Sequence, residues 1–472
     1  MPSGASVAVH ARYFDEPALE FAGSAVHVDP KTGLARYGPS SLGSESHPRE
    51  LKLGFVGSGE SMASALSWFE RTSGGVVGDA DAGLPDFPGF DEDRGFFCQL
   101  RFTDTTQAKM TTHEINSVLK PRRKRERFEA SVDLICAKVK LLAQQDQRPD
   151  VIVLALPDEI VGSVRSIRYQ EEGVGLVYRD LRRTLKAEVM RYGIPTQILL
   201  QKVSEAGPET RGVDHGSRVA WNLYTGLFYK GGGVPWRPPG LRSDTCYVGL
   251  SFHRPLGSTG TLRASIAQAF DSSGVGLILR GPDFHWNAAK DGPSPHLTAA
   301  QSVALMERVL ARYRLETNQA PGRVVVHKTS HYWPDEREGF VDALKAVPEF
   351  DLVAVRPTSE VRLLRAGRYP PLRGTMFSVC DTHYIYTTGY IPSLESYPHG
   401  HVPAPLVISD HHGDTSLEDV VTEILILTKM NWNSAGFAGA LPITVRFSRR
   451  VGDIMREIPP DREPMPQFKF YT

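Results

Sequence analysis

Four polar side chains between residues 182 and 230 have the types and spacing needed to bind one anion. Arg182 and Lys186 are four residues apart, so on a helix their side chains share one face. Gln197 opens an apolar run, and Lys230 ends a second helical pattern. If the fold brings them together, three cations and an amide form a compact pocket for a terminal phosphate. The alternative is a solvated basic helix face and a cationic helix C-cap.

The elements that must position these residues follow from apolar periodicity and from Gly and Pro. Residues 181–189 carry Leu, Leu and Val at i, i+4 and i+8, which indicates a helix that ends at Gly193. Residues 196–203 form a short apolar run typical of a buried strand. A second helix is predicted from about Ser217 to the glycines at 231–233.

This segment resembles the MID domain of Argonaute and Piwi proteins, which holds the 5′ end of a guide strand. The matching pattern is a basic residue with a Lys four positions later, then Pro195-Thr196-Gln197, then a distant Lys ahead of Gly232-Gly233-Val234-Pro235-Trp236. Arg182 stands where the family commonly has Tyr. The resemblance implies that Arg182, Lys186, Gln197 and Lys230 bind a guide 5′ phosphate.

Composition limits the class of protein. The chain has 472 residues, enough for two or three domains, and its 54 Lys and Arg balance its 54 Asp and Glu. Any nucleic-acid surface must therefore come from local segregation of charge. The four cysteines are widely spaced without a CxxC pair, which argues against structural zinc or disulfides. With no long apolar run and no signal peptide, we expect a cytoplasmic protein without membrane contact.

The predicted elements divide the chain into three parts. Residues 1–45 have short alternating runs and are predicted to form a hairpin. Residues 46–240 indicate an α/β domain. Within it we expect a loop of low order at 72–96, a basic run at 120–125 that leads into an amphipathic helix, and a buried strand at 150–157. The basic run is either solvated or a contact for nucleic acid or a partner.

Residues 241–472 have a different order of elements. The predicted sequence is β-β-β-α-β-α-β, which is the ribonuclease H-like topology, with capping boxes expected at Thr298 and Thr415 and a last helix after Pro442. This part resembles the PIWI domain of the same family. The predicted fold class is therefore α/β, with a Rossmann-like MID domain at 46–240 followed by a ribonuclease H-like PIWI domain at 241–472.

A PIWI domain that cuts its target holds two divalent cations with carboxylates. At three of the family's carboxylate positions this chain has Ser251, Thr329 and Arg449. Neutral hydroxyls bind Mg²⁺ poorly, and a guanidinium repels it. The resemblance therefore implies a nuclease site without activity. Arg446, Arg449 and Arg450 would add charge along the backbone of a duplex, or else form only a solvated basic helix.

Two possible metal sites arise from other residues. Residues 410–414 (Asp-His-His-Gly-Asp), with His399 and His401, could suggest a metal site, but a turn and a helix cap are favoured. The family resemblance also implies a Mg²⁺ ion at the guide 5′ end, with Gln197 and the terminal carboxylate of Thr472 as ligands. The apolar tail before Thr472 is predicted to dock on the protein.

As a whole, the sequence resembles a short prokaryotic Argonaute with MID and PIWI domains, because no stretch is left for a PAZ domain. This implies an immune sensor in which a 5′-phosphorylated small RNA guide pairs with invading plasmid or phage DNA. Target binding would activate a partner that carries an APAZ region and a sirtuin-like, TIR or nuclease effector. Two alternatives remain: an active guide-dependent nuclease, and a nucleic-acid scaffold that needs no guide.

Overall fold

The protein is described by a computed structural model that covers residues 9–207, 210–258, 260–270, 276–292, 294–397, 402–459 and 461–472. Strands and helices are numbered in chain order. An N-terminal segment precedes two α/β domains and contains β1 Val9–Tyr13, β2 Leu19–Glu20, β3 Val26–His27 and α1 Pro30–Tyr37.

The first domain is built on a parallel sheet with the strand order β10-β7-β4-β5, and β6 also pairs with β4. All six residues of β7 are buried, as expected for an apolar strand covered on both faces. Strands β8 and β9 form a separate antiparallel hairpin. The elements are β4 Glu50–Ser58, α2 Gly59–Thr72, β5 Gln99–Arg101, β6 Gln107–Met110, α3 Thr112–Leu119, α4 Lys124–Ala143, β7 Val151–Leu156, α5 Asp158–Val164, β8 Ser166–Glu171, β9 Gly175–Asp180, α6 Leu181–Val189, β10 Thr196–Leu200, α7 Gln201–Ser204 and α8 Gly216–Lys230.

The second domain contains a nine-stranded mixed sheet with the order β1-β16-β17-β18-β15-β14-β11-β12-β13. Strands β11, β14 and β15 are parallel neighbours at its centre. The elements are β11 Thr245–His253, β12 Thr261–Phe270, β13 Gly276–His285, α9 Ala288–Asp291, α10 Ala299–Thr317, β14 Arg323–Lys328, α11 Pro334–Leu344, β15 Glu349–Pro357, β16 Thr375–Val379, β17 Thr382–Ile385, β18 Leu406–Gly413, α12 Leu417–Leu427 and α13 Ile443–Met455.

Helix α13 crosses the central strands of this sheet at very short range. A side chain at Gly249 on β11 would collide with the backbone oxygen of Thr444 on α13, so glycine is required at this crossing. The neighbouring strand β14 is tied to the same helix, because His327 Nδ1 lies 3.0 Å from Thr444 Oγ1. The crossing fixes the position of α13 relative to the sheet, and α13 carries residues of the site described below.

The predicted N-terminal hairpin is only partly correct. Strands β2 and β3 form a short antiparallel pair, but β1 pairs with β16 and becomes the edge of the second domain's sheet. The stretch after Asp29 is a helix, because the Asp29 carboxylate accepts a hydrogen bond from Thr32 N (2.7 Å) and Pro30 occupies the first turn of α1. Long-range strand pairing of this kind is not visible in a local pattern.

The prediction of low order for residues 72–96 was wrong. Phe87, Phe90 and Phe96 are buried in the core of the first domain, and the Phe87 ring stacks on Tyr224 with centroids 4.9 Å apart. Backbone bonds between Val76 and Phe87 close the loop. The three phenylalanines order this segment despite its Gly and Pro content, because each buried ring removes a large apolar area from water.

One of the two capping boxes predicted in the second domain is present. The Thr298–Gln301 capping box at the start of α10 is confirmed. The box predicted at Thr415 was wrong, because Ser416 caps α12 by accepting from Asp419 N, while Thr415 binds the buried Asp351. No helix in the described ranges combines the length and hydropathy of a bilayer-spanning segment.

Candidate anion-binding site

Two of the predicted anion-binding residues lie one turn apart on α6. The helix begins at Asp180, whose carboxylate accepts from Arg183 N (3.2 Å), and places Arg182 and Lys186 on one side. Gly193 then adopts a left-handed conformation (φ 70°) and returns the chain into β10, as the sequence predicts. This return brings the start of β10 next to the end of α6.

Strand β10 joins these cations to the end of α8. The Lys186 ammonium group donates to the backbone oxygen of Thr196, and Lys230 Nζ donates to Gln197 Oε1 at 2.6 Å. Both lysines are buried, with exposures of 2% for Lys186 and 1% for Lys230. The fold thus brings together the four residues that the sequence predicts: Lys186 and Lys230 are buried, and Arg182 and Gln197 are half-buried beside them.

A fourth cation, Arg450, reaches this place from α13 of the second domain. Burial, together with the charges of Lys230, Arg182 and Arg450, lowers the pKa of Lys186 well below its usual value. Burial and the charges of Arg450 and Arg182 do the same for Lys230. Burial and the charge of Arg182 lower the pKa of Arg450 to about 9. We call Arg182, Lys186, Lys230 and Arg450 the four-cation pocket.

The carboxylates around the four-cation pocket are bound to other groups. Asp453 pairs with Arg183 at 2.8 Å, Glu457 with Arg179 at 2.9 Å, and Glu188 with Arg462 at 2.9 Å. These ion pairs connect α6 and β9 to α13 and the C-terminal segment, so they hold the two domains together beside the pocket.

The four-cation pocket itself has no such match. In the part of the chain that the structure describes, none of its four members forms an ion pair with a carboxylate, although the charges of Asp180 and Asp453 partly offset the lowered pKa values of Arg182 and Arg450. Burying charge without an opposite charge is costly, and a bound anion would remove that cost. Two ammonium and two guanidinium groups, with the Gln197 amide, form a donor set suited to a phosphate.

A cavity of about 390 Å³ opens beside Arg182 between α5, α6 and β10. Its lining is mostly aliphatic, with Arg165, Asp180 and Arg182 as the polar groups. The volume and the flat guanidinium groups suit a planar heteroaromatic ring next to the phosphate position. The pocket and the cavity together have the chemistry of a nucleotide site.

The C-terminal tail docks as the sequence predicts. Phe468, Phe470 and Tyr471 are buried in a cluster that includes Ala187 and Tyr229, the neighbours of two pocket lysines. The tail therefore ends close to α6 and α8.

The donors predicted for Mg²⁺ make hydrogen bonds within the protein. Gln197 Oε1 is engaged by Lys230, and in the described part of the chain Thr472 is hydrogen-bonded only to Lys469. A divalent cation beside four positive groups would be repelled on its own. These residues fit Mg²⁺ only when a phosphate supplies further oxygen ligands and negative charge.

The degenerate nuclease positions lie on or next to the central strands and on α13. Ser251 is on β11, in which Gly249 pairs with His327 of the parallel strand β14, and Thr329 directly follows β14. Arg449 is exposed on α13. Among the described residues, no three His, Cys, Asp or Glu side chains are grouped closely enough to hold a metal ion.

The three arginines predicted for duplex contacts differ in exposure and lie on different sides of α13. Arg449 is exposed, whereas Arg446 and Arg450 are half-buried on the other side of α13, and the charge of Arg446 contributes to the lowered pKa of Arg450. The sequence prediction missed the place of Arg450 in the four-cation pocket. The i, i+4 spacing of Arg446 and Arg450 predicts only that both share one helix face, and not that this face meets α6.

The histidines near residue 410 lie in a strand and not in the predicted turn. Asp410 and His411 belong to β18, where the Asp410 carboxylate accepts from Tyr332 N at 2.7 Å and His411 Nε2 lies 2.9 Å from the Asp351 carboxylate. Alternation along the strand sends the two side chains to different partners. His399 and His401 lie outside the described residues.

Known proteins resemble this chain in structure but not in sequence. No protein-family model matches the sequence, and no curated protein matches it significantly. The structure is similar to Clostridium butyricum Argonaute bound to a guide DNA and a 19-mer target DNA (TM-score 0.65, 15% identity, 96% of this chain and 54% of that chain). It is also similar to A. aeolicus Argonaute (0.59, 14%, 96% and 54%) and to Drosophila Piwi (0.59, 11%, 98% and 56%).

The chain therefore has the α/β fold of Argonaute and Piwi proteins, and its two domains correspond in fold to MID and PIWI. It spans about half the length of each of these proteins.

Proposed function

We propose that this chain is the guide-directed nucleic-acid recognition subunit of a prokaryotic immune system. Its first domain binds the 5′ phosphate of a small RNA guide, which pairs with invading plasmid or phage DNA. The observation that carries the proposal is the four-cation pocket, in which two buried lysines and two half-buried arginines lie together and form no ion pair with a carboxylate among the described residues. A fold neighbour bound to a guide DNA and a target DNA supports guide-directed nucleic-acid binding.

In this proposal the four-cation pocket binds the phosphate of the 5′ nucleotide, and the cavity binds its base. Lys186, Lys230 and Arg450 hold the phosphate, and Gln197 keeps the Lys230 ammonium group in position. The 5′ base enters the cavity, where the Arg182 guanidinium stacks on it in place of a Tyr ring. Because Arg450 comes from the other domain, the phosphate also ties the two domains together.

A Mg²⁺ ion at the 5′ end belongs to the same proposal. Gln197 and the carboxylate of Thr472 would hold it, and the ion would neutralise part of the phosphate charge. An extension of the chain after Thr472 should then weaken guide loading, measured by guide affinity with and without the extension. Equal affinities would exclude the Thr472 carboxylate as a ligand.

We further propose that the chain does not cut its target. Ser251, Thr329 and Arg449 offer no carboxylate at the three positions where the family binds metal ions. The signal would instead pass to an APAZ-containing partner with a sirtuin-like, TIR or nuclease effector. Magnesium-dependent target cleavage by the purified chain would contradict the first statement. A chain that forms no complex with the product of its neighbouring gene would contradict the second.

The main test is the preference for a 5′ phosphate. The double variant Lys186→Ala, Lys230→Ala should bind 5′-phosphorylated and 5′-hydroxyl guides of one sequence equally, whereas the unaltered chain should prefer the phosphorylated guide. Lys202→Ala, which removes an exposed lysine outside the pocket, is the matched control and should keep the preference. If the double variant only weakens binding to both guides by the same factor, the chain is a scaffold that ignores the guide end.

A further inference from the structure

A second cationic surface lies in the connection between β15 and β16, far from the four-cation pocket in sequence. Arg362, Arg365 and Arg368 recur every three residues, and all three are exposed. Leu364 between them is 99% exposed, and Tyr369 follows at 41%. We call Arg362, Arg365, Arg368, Tyr369 and Tyr390 the arginine–tyrosine surface.

The aromatic part of this surface is a stacked column. The Tyr369 and Tyr390 rings are nearly parallel (20°), with centroids 4.3 Å apart. The Arg365 guanidinium lies 5.9 Å from the centroid of Tyr390, and that of Arg368 lies 5.8 Å from the centroid of Tyr369. A stacked column of two rings with guanidinium groups beside it is a surface on which a nucleobase can stack.

The protruding segment is anchored at both ends. Leu363 N donates to Tyr386 Oη at 2.9 Å, and Arg373 N donates to the backbone oxygen of Tyr390 at 3.0 Å. Tyr390 N in turn donates to the backbone oxygen of Pro371 at 3.0 Å. These hydrogen bonds hold the backbone on both sides of residues 364–370 in place. This reduces the conformational entropy that the segment would lose on binding a ligand.

The positive charge of the surface is not neutralised by the protein. None of Arg362, Arg365 and Arg368 forms an ion pair within the described ranges of the chain, although many other exposed arginines do, such as Arg101 with Glu50 at 3.0 Å. Three guanidinium groups beside an exposed ring favour a ligand with both phosphates and accessible bases. A duplex hides its bases, and an acidic protein surface makes no use of the column.

The sheet topology places this surface on the same edge as the degenerate nuclease positions. Strands β11, β14 and β15 are parallel, so Ser251, Thr329 and the exit from β15 share one edge. The start of β16 lies at that edge too, because β16 runs antiparallel to β15 through β18 and β17. Five strand spacings separate β16 from β11, or about 24 Å along the sheet.

We propose that the arginine–tyrosine surface binds a single-stranded stretch of nucleic acid. One base stacks on Tyr369, and Arg362, Arg365 and Arg368 contact the phosphates on either side of it. This site is distinct from the 5′-phosphate pocket. It extends the proposed function, because a strand that leaves the guide–target duplex at this edge of the sheet would reach it unpaired.

The test uses a single-stranded deoxythymidine oligonucleotide with a 5′ hydroxyl, titrated against the full chain with and without a saturating 5′-phosphorylated guide of unrelated sequence. Tyr369→Ala should weaken oligonucleotide binding about 5- to 150-fold, whereas Tyr369→Phe keeps the ring and should bind within about twofold of the unaltered chain. Replacing the three arginines by glutamine should reduce the slope of log affinity against log salt by about 2.

The matched control is Arg308→Gln with Arg314→Gln, which removes two exposed arginines on α10. This control should leave the affinity and the salt slope unchanged. Oligonucleotide binding that Tyr369→Ala does not weaken, or a control that reduces the slope as much as the glutamine variant does, would overturn the proposal. Preference for a 5′-phosphorylated guide is measured in the same variants and should persist in Tyr369→Ala, so that failure of this site is distinguished from failure of the guide pocket.

Discussion

Two buried charge clusters in this molecule have opposite compositions. In the second domain, Arg323 is 1% exposed and binds the carboxylates of Asp351 (2.7 Å) and Glu423, which also accepts from Tyr247 Oη at 2.8 Å. In the four-cation pocket, two buried lysines and two half-buried arginines lie together, and none of them forms an ion pair with a carboxylate in the described part of the chain. The same chain thus contains a matched cluster and an unmatched one.

The pKa shifts follow the same division. Burial alone would raise the pKa of Asp351, but hydrogen bonds from His411 and Thr415, together with the Arg323 charge, lower it to about 2. In the unmatched pocket every contribution from the other cations adds to the effect of burial on Lys186 and lowers its pKa. The matched cluster offsets its own buried charge, whereas in our proposal the four-cation pocket receives the compensating charge from a guide phosphate.

The largest expected effect is on the matched cluster. Asp351→Asn should lower the free energy of unfolding by about 3–5 kcal/mol, because Arg323 loses a buried counter-charge. Urea unfolding followed by circular dichroism measures this. Glu50→Gln, which breaks the exposed pair with Arg101, is the control and should cost at most about 1 kcal/mol. A loss for Asp351→Asn as small as the control's would show that the cluster contributes little.

In the four-cation pocket, we expect substitution to leave the free energy of unfolding unchanged or to raise it. Lys186→Met with Lys230→Met should leave the free energy of unfolding of the guide-free protein unchanged or raise it by up to about 4 kcal/mol, since two unmatched buried charges become apolar. The same variant should lose the stabilisation that a 5′-phosphorylated guide gives to the unaltered chain. Destabilisation of several kcal/mol in the guide-free variant would contradict the view that these lysines await a ligand.

A smaller effect separates two adjacent arginines on α13. Arg450→Ala should weaken binding of a 5′-phosphorylated guide about 10- to 100-fold, because it removes a charged donor to the phosphate. Arg449→Ala removes an exposed arginine one position earlier and should change the affinity by less than about threefold. Titration of a fluorescent guide compares the two. Equal losses would mean that α13 contributes only general positive charge.

The smallest effect concerns pH. The folded-state pKa values of Lys186, Lys230 and Arg450 lie below their unfolded values, so the unfolded state binds more protons and the guide-free protein should gain stability as pH rises toward 10. Affinity for a 5′ phosphate should fall over the same range, as the pocket loses charge. Thermal unfolding with and without guide, across pH 7–10, measures both trends. Parallel trends for the two samples would contradict this prediction.

The predictable parts of this molecule are those set by local patterns. Helix α6, the turn at Gly193 and the end of α8 follow from apolar periodicity and glycine, and with them the place of Lys186 and Lys230. The pairing of β1 with β16 was not predictable in this way, because it joins residues more than 360 positions apart. Arg450 was missed for the same reason, since its approach to α6 depends on how two domains pack.

The measurement that tests the central claim most directly is end-group and length analysis of nucleic acid that copurifies with the chain and the product of its neighbouring gene. We predict a narrow population of small RNAs with 5′ phosphates, reduced when Lys186 and Lys230 are replaced by Ala. Heterogeneous nucleic acid with mixed 5′ ends, unchanged by that substitution, would contradict the claim that the four-cation pocket holds the end of a guide.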